Sequence, residues 1–199
     1  MCYNEAMKED LAKIRHARST KDFPEVDLED GEWVELAIRR SKLGLMLIWA
    51  GEIVGFVVLT VILILSLIHG ALFGLNAAAM GYFYLIIFIL YGVLVLSGVA
   101  GTYLYKSNLL IVTNKRAIQK GRPNLLAVSM NIIDLKSVED VSFNKAGLFA
   151  SLFNIGTIRM STVGDETTYT FPYVDTPRNE LKVISALVHK VKEETNSSI

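Results

Sequence analysis

Charged residues are almost absent from the middle of this chain. Between Leu43 and Tyr105 the sequence has no lysine, arginine or aspartate, and Glu52 is the one acidic residue there. Cysteine is equally scarce: the single one, Cys2, excludes an intramolecular disulfide and any cysteine-rich metal site, as is typical of a protein that faces a reducing cytosol. The net charge of +0 gives no overall signal for nucleic-acid binding.

In place of charge the sequence has an apolar excess, with 52% hydrophobic residues, and this excess lies in two runs. The first, residues 43–68, would extend roughly 39 Å as a helix, which exceeds a hydrocarbon core of about 30 Å and is accommodated by a modest tilt. The second, residues 77–105, is similar in length, and residues 69–76 join the two. A soluble domain would have to be far larger to cover both helices, so the pattern predicts a membrane α-helical hairpin.

The charged flanks of the two runs predict the orientation of this hairpin. The connecting loop has no lysine or arginine. Basic residues lie before the first run and after the second: Arg39, Arg40, Lys42, Lys106, Lys115 and Arg116. By the positive-inside rule both termini are cytoplasmic, in a multi-pass protein of the cell (inner) membrane. Because the first run begins only after residue 42 and exceeds a usual signal-peptide core, we expect it to stay in the bilayer.

The stretch before the first run is predicted to be a charged N-terminal arm over residues 1–32 and an interfacial lead-in over residues 33–42. The arm contains an acidic turn at residues 27–32 and is expected to be solvated and partly disordered. The alternative is an arm that binds a partner or its own domain. Trp33 and Trp49 suit the membrane interface, where amphipathic rings settle.

The C-terminal part, residues 106–194, is predicted to be a small α+β domain, followed by a tail at residues 195–199. Its helix begins near Pro177 and carries an apolar stripe that includes Ile184 and Val188, which is expected to pack on the core. Runs of β-branched and aromatic residues bounded by turn residues predict strands at 109–113, 116–120, 125–132, 138–143, 156–162 and 167–173.

Three segments of this part, in this order behind two spans, resemble the bacterial pleckstrin-homology-like (membrane-flanked domain) family. They are residues 110–118, with the turn Thr113-Asn114-Lys115-Arg116, then residues 132–142, and then residues 148–162. The resemblance implies a bent, partly open antiparallel PH-like β-barrel capped by the C-terminal helix and carried on the hairpin. It also implies a binding and assembly module. The Asn114-Lys115 turn is shorter than the basic phosphate cradle of lipid-binding eukaryotic domains, so phosphoinositide recognition is not implied.

Five basic residues that follow the second span form a candidate contact for anionic lipid. No acidic residue lies among them. They are Lys106, Lys115, Arg116, Lys120 and Arg122. Close to an anionic leaflet each such charge contributes on the order of 1 kcal/mol. The alternative is that they only fix topology and solubility, and that Arg116 satisfies carbonyl groups within the fold.

Glu52 is a candidate intramembrane polar site, because a carboxylate inside a span tends to face protein, water or a partner. If the span starts near Trp49, Glu52 is instead an interfacial residue. Gly51 and Gly55 have the spacing of close helix contacts. A further ambiguity concerns the apolar residues of 148–153, which either fold into the barrel or present a membrane or self-association patch, with Phe149 and Phe153 expected to be partly buried.

Nothing in the sequence indicates an enzyme. His16, His69 and His189 are scattered, and no catalytic, cofactor or metal motif is present. We therefore predict a membrane-anchored binding or scaffolding module that contacts the inner leaflet, other copies of itself in a homo-oligomer, or a membrane protein partner, without nucleic acid. The alternative is an accessory subunit of a transport or channel assembly, in which Glu52 and the glycines line a helix interface.

Overall fold

A computed structural model describes residues 2–68, 76–162 and 168–197 of the chain. They form two units. The helix pair is Lys42–Lys106, and the strand-rich unit combines Met1–Ser41 with Ser107–Ile199. The predicted loop at 69–76 lies outside the described residues except for Asn76, as do the last two residues of the predicted tail.

The elements of the chain follow in the order α1 (Cys2–Asp22), β1 (Val34–Arg39), α2 (Lys42–Ile68), α3 (Ala77–Lys106), β2 (Leu109–Thr113), β3 (Arg116–Gly121), β4 (Ser129–Asp134), β5 (Val138–Asn144), α4 (Leu148–Leu152), β6 (Ile155–Thr162), β7 (Thr168–Asp175) and α5 (Pro177–Asn196). Of these elements, α2 and α3 make up the helix pair and all others belong to the strand-rich unit.

Helices α2 and α3 pack against each other in antiparallel fashion. Tyr105 lies over Gly44 near one end, and the hydroxyls of Thr60 and Tyr91 are 2.8 Å apart further along. A side chain larger than hydrogen at Gly44 would overlap the Tyr105 ring. Both helices are long and apolar enough to cross a membrane, and only 6% and 11% of the residues in their most apolar stretches are buried.

The strand-rich unit contains two antiparallel sheets. Sheet A has the order β1-β2-β3-β4 and sheet B the order β5-β6-β7. Ile184, Val188 and Val191 of α5 are buried in the core that both sheets share, which confirms the predicted packing of this helix. The barrel is not closed. Within the described residues the backbones of the two sheets meet at an isolated bridge between Arg40 and Val174.

Strand β1 corrects the prediction of an interfacial lead-in at residues 33–42. It pairs with β2 along its length, with Arg39 opposite Leu109, and Leu36 and Ile38 face the core. Burial alternates over 34–39, with residues 35, 37 and 39 exposed, which is the period of a strand with one buried face. The strand-rich unit therefore extends beyond the predicted boundaries of 106–194, and the helix pair is inserted between two neighbouring strands.

The N-terminal arm at residues 1–32 also differs from the predicted disordered segment. Residues 2–22 form α1, and the chain that follows lies on the outer face of sheet A. There Val26, only 4% exposed, packs against Leu109, Ile111 and Ile118. The structure thus shows the alternative, an arm that binds its own domain, because those three strand residues would otherwise expose an apolar face.

The strand predicted at residues 125–132 begins later, at Ser129. The reason lies in Asn124, whose Oδ1 accepts hydrogen bonds from the backbone N–H groups of Leu126 (3.1 Å) and Ala127 (2.7 Å). This side-chain turn takes up donors that a strand would offer to a ladder. Residues 122–128, named here the β3–β4 loop, therefore project from the sheet although four of them are apolar.

The first prediction concerns the fold. We expect residues 106–199 alone to remain unfolded, because β2 then lacks its partner β1 and sheet A lacks the cover of Val26. A fused domain, in which residues 1–41 are joined to residues 107–199 by a linker of about four to six residues, should fold, since Arg39 and Leu109 are neighbours and short loops join antiparallel strands.

Dispersion of amide resonances in an NMR spectrum and a cooperative thermal transition measure this difference. The fused domain with Ile38→Asp is the matched control, because a carboxylate at this buried position should abolish the transition. A folded 106–199 fragment would show that β1 is dispensable and would contradict the prediction.

Candidate functional site

The five basic residues predicted as a lipid contact do not form one cluster. Strand register divides the strand-rich unit into an attached end, where Arg39, Leu109 and Lys120 lie side by side, and a far end, where Val34 is paired with Thr113. The chain passes to α2 and returns from α3 at the attached end. The four steps along β2 separate the two ends by about 14 Å.

At the far end, Arg116 forms a two-pronged ion pair with Glu32. Its Nε and Nη2 donate to Oε1 and Oε2 of Glu32, each at 2.9 Å. The Glu32 side chain is 0% exposed and that of Arg116 is 18% exposed. Planar guanidinium and carboxylate groups in this geometry make the strongest of the common charged hydrogen bonds. Arg116 therefore serves the fold, and its Nη2 also donates to the carbonyl of Asp27 at 2.8 Å.

The turn between β2 and β3 completes the site that holds Glu32. Thr113 is buried, and its hydroxyl donates to Glu32 Oε1 at 2.7 Å or to the carbonyl of Arg116 at 2.9 Å. The hydroxyl oxygen accepts a hydrogen bond from the N–H of Arg116. Asn114 Oδ1 accepts from the N–H of Trp33, and its Nδ2 donates to the carbonyl of Gly31. The Thr-Asn-Lys-Arg sequence thus binds the segment that leads into β1.

Opposing effects act on the ionisation of this pair. Burial alone would raise the pKa of Glu32, but the hydrogen bonds from Arg116 and Thr113 and the N–H of Glu29 outweigh it, so the pKa lies below its ordinary value. The hydrogen bond to Glu32 in turn raises the pKa of Arg116. Both groups are therefore held in their charged forms.

A run of acidic side chains accompanies Glu32 along sheet A, and we name residues 25–32 the acidic segment. Near the far end Glu29 lies 3.3 Å from Arg116 and 3.6 Å from Lys115. At the attached end Glu25 forms an ion pair with Lys120. The hydrogen bond from Lys120 lowers the pKa of Glu25, and the charges of Arg39 and Arg122 lower it further.

The structure accordingly separates the predicted lipid contact into two sets. Lys115 and Arg116 lie at the far end, bound to the acidic segment. Lys120 and Arg122 lie at the attached end, and Lys106 is the last residue of α3. Only the second set lies at the end of the unit where the chain passes to α2 and returns from α3.

A cleft of about 690 Å³ opens beside the far end. Lys115, Arg116 and Lys136 line it together with the carboxylates Glu29, Asp134 and Glu194. The cleft is therefore lined by equal numbers of basic and acidic side chains. Among the residues that the structure describes, no group of three or more histidine, cysteine, aspartate and glutamate side chains could hold a metal ion.

Glu52, the predicted intramembrane polar site, lies between the two helices of the helix pair. Its Oε1 accepts a hydrogen bond of 2.8 Å from the hydroxyl of Ser97, and its side chain packs on Gly98. A Cβ atom at Gly98 would lie 3.2 Å from Cγ of Glu52, so a glycine favours this approach. Gly55 meets Leu94 in the same way, whereas nothing lies within 4 Å of the position a Cβ would take at Gly51.

The sequence did not predict the carboxylates that form ion pairs with the basic residues. Glu25, Glu29 and Glu32 belong to the stretch for which the sequence predicts a solvated arm, although its negative charge matches the positive charge of residues 115–122. That complementarity between two separate segments was the available signal. The apolar β3–β4 loop is not predicted, because Leu125, Leu126 and Val128 form an apolar run that predicts a buried strand.

No protein-family model and no curated protein matches this chain. Among solved structures, part of it is similar to a DUF1696-family protein with a pleckstrin-homology domain from Shewanella loihica PV-4, with 14% identity, a TM-score of 0.32, and coverage of 43% of this chain and 70% of that chain. A pleckstrin-homology domain from Shewanella amazonensis SB2B shows 19% identity and a TM-score of 0.34, with 41% and 66% covered. These partial likenesses concern the fold and assign neither an activity nor a ligand.

The second prediction concerns Glu32. Replacement of Glu32 by alanine in the fused domain should lower the free energy of unfolding by about 3–5 kcal/mol, because it leaves the charge of Arg116 and the hydroxyl of Thr113 without their buried partner. Denaturant unfolding measures this loss. Glu25→Ala is the control, and it should cost no more than about 1 kcal/mol, since the Glu25 side chain is 60% exposed.

The pH dependence supplies a second measurement of the same pair. The pKa of Glu32 is lower in the folded protein than its ordinary value of 4.5, so its stabilisation is present above that pH and is lost as the pH falls through the folded value. The difference in unfolding free energy between wild type and Glu32→Gln should therefore be largest near pH 7 and shrink in acid. A constant difference across this range would show that Glu32 does not act through its charge.

Proposed function

We propose that this protein is a membrane-anchored binding or scaffolding module, in which α2 and α3 span the membrane and hold a PH-like domain at the inner leaflet. The domain would contact the leaflet, other copies of itself or a membrane protein partner. The observation that carries this proposal is the insertion of the two exposed apolar helices between neighbouring strands β1 and β2.

The exposure of the helices supports their placement in a bilayer. Core helices of a soluble protein bury their apolar residues, whereas 6% and 11% of the most apolar stretches of α2 and α3 are buried. Residues such as Phe88 (76% exposed) and Leu96 (70% exposed) would otherwise face water. Contiguous apolar surface of this extent is typical of a membrane contact, and the Glu52–Ser97 hydrogen bond satisfies a polar group within the pair.

The connections to the helices support the tether. Two residues, Arg40 and Ser41, separate β1 from α2, and two residues, Ser107 and Asn108, separate α3 from β2. The first connection is also fixed to sheet B, since the N–H of Ser41 donates to the carbonyl of Tyr173 at 2.6 Å. Short connections at two points restrict how far the domain can turn or move away, so weak contacts to lipid or a partner suffice.

The topology of the strand-rich unit supports the PH-like assignment. A four-stranded sheet, a three-stranded sheet and a final helix packed on their shared core match the arrangement that the sequence resemblance implies, with an open barrel. The first strand of this arrangement lies before the spans, so the family pattern of two spans followed by a domain holds here in modified form.

The alternative function, an accessory subunit of a transport or channel assembly, has one supporting observation. Glu52 is a carboxylate in an apolar groove of about 230 Å³ on the helix pair, lined also by Trp49, Phe56 and Leu94. The hydrogen bond to Ser97 explains the presence of Glu52 equally well, because it links α2 to α3. The tethered module therefore explains more of the molecule and is the function we propose.

The third prediction tests the anchor. In a Cys2→Ser background, a cysteine at Asn76 should react with a membrane-impermeant maleimide in intact bacterial spheroplasts, because the loop between the spans lies outside. A cysteine at Ser197 should react only after the membrane is permeabilised. Comparable reaction at both positions in intact spheroplasts, or release of the protein by alkaline carbonate, would contradict the proposed topology.

The fourth prediction tests the charge of the attached end. Glu25→Gln should strengthen binding of the fused domain to vesicles that contain anionic lipid, because it removes the carboxylate paired with Lys120. Arg122→Gln should weaken binding. Each charge contributes about 1 kcal/mol, which corresponds to roughly a fivefold change in affinity.

Cosedimentation with vesicles measures both changes, and added salt should reduce both. Lys115→Gln is the matched control, since Lys115 lies at the far end and should leave the affinity unchanged. Binding that ignores vesicle charge, or an equal loss with Lys115→Gln, would contradict the role of the attached end.

A further inference from the structure

We propose, on the basis of the membrane-anchored module above, that the β3–β4 loop is a third membrane contact and inserts Leu125 and Leu126 into the interface of the leaflet that faces the domain. Leu126 is 99% exposed and Leu125 is 52% exposed. Val128, at 52%, extends this apolar surface to the base of the loop.

The loop is built to present these side chains. The pairing of Gly121 with Ser129 closes its base, and Asn124 Oδ1 holds its turn through the N–H groups of Leu126 and Ala127. A side chain larger than hydrogen at Gly121 would come within 2.9 Å of Asn108 Oδ1, so the base of the loop lies directly beside the residues that join α3 to β2. Leu126 therefore projects from a fixed turn.

The position of the loop points to lipid as its partner. Leu109, the first residue of β2, lies three residues after the end of α3, and a chain of three residues spans at most about 10 Å. The base of the loop is one to two strands from Leu109, which adds about 5–10 Å. Once α3 is in a bilayer, the loop is within reach of the bilayer surface.

A second exposed apolar surface lies at the same end of the strand-rich unit. Leu148 (89%), Leu152 (77%) and Phe153 (50%) immediately precede β6, whose first residues pair with 174–175 beside Arg40. The structure thus exposes Phe153 by half, and the side chain of Phe149 lies outside the part of the chain that is described. Arg40, the residue after β1, forms a bridge to Val174 of β7, which pairs with β6. This bridge connects the sheet that carries the β3–β4 loop with the sheet that carries the second apolar surface.

The charge beside the loop agrees with an anionic leaflet. Lys120 and Arg122 lie at its base, and Lys120 pairs with the exposed carboxylate of Glu25. Apolar tips with basic residues at their base are typical of segments that lie in the membrane interface, where leucine enters the acyl boundary and lysine or arginine meets the head groups.

The fifth prediction tests this contact in the full chain, reconstituted in vesicles of zwitterionic and anionic phospholipid. In a Cys2→Ser background, Leu126→Cys carries an environment-sensitive fluorophore, and lipids bear a spin-label quencher at a shallow or a deep position. We expect a blue-shifted emission that the shallow quencher reduces. Leu96→Cys in α3 should respond to the quenchers as the reference for bilayer contact.

Ile14→Cys is the matched control, because Ile14 is an exposed apolar residue (64%) on α1, which bonds to the far end through His16 and Ser19. Its label should stay in water. A label at 126 that behaves like the one at 14, while 96 is quenched, would overturn the inference and leave the anchor intact. Absence of quenching at 96 would overturn the anchor and, with it, this contact.

Three further outcomes complete the test. A blue shift at 126 without quenching by spin-labelled lipid would overturn the inference in favour of a protein partner, such as a second copy. A labelled cysteine can disturb its own loop. We therefore place the label on a cysteine at Leu152 and compare the chain with and without the double substitution Leu125→Gln and Leu126→Gln. Reduced shallow quenching at 152 in this variant, with an unchanged circular dichroism spectrum, supports the contact, and unchanged quenching overturns it.

Discussion

The pairing of β1 with β2 is the constraint on which the rest of this structure depends. These two strands are neighbours in sheet A, yet the whole helix pair lies between them in sequence. The core of the strand-rich unit therefore cannot form without bringing the two helix ends to one place. The same pairing puts both connections to the helices at the attached end of the unit.

The charges of the strand-rich unit follow from this division into two ends. At the far end the acidic segment neutralises Arg116 and Lys115, and burial of Glu32 makes that arrangement part of the fold. At the attached end Glu25 pairs with Lys120. Carboxylates of the acidic segment thus pair with basic residues at both ends of sheet A.

Local patterns predicted much of this architecture. The two apolar helices, most strands and the buried stripe of α5 were found because each signal lies within one segment. The β1–β2 pairing was not found, since its partners are separated by the helix pair and a six-residue strand before a span resembles an interfacial segment. The binding of the acidic segment to sheet A was not predicted for a similar reason. It depends on complementarity between Glu32 and the turn that contains Arg116, which is far away in sequence.

In the β3–β4 loop the structure differs from the strand that the local sequence predicts. Leu125 to Val128 form an apolar run that predicts a buried strand, whereas two backbone N–H groups of this run donate to Asn124 Oδ1 instead of to a ladder. Leu125 and Leu126 therefore stay exposed. In the arrangement we propose, the β1–β2 pairing places this loop at the same end of the unit as both connections to the helices.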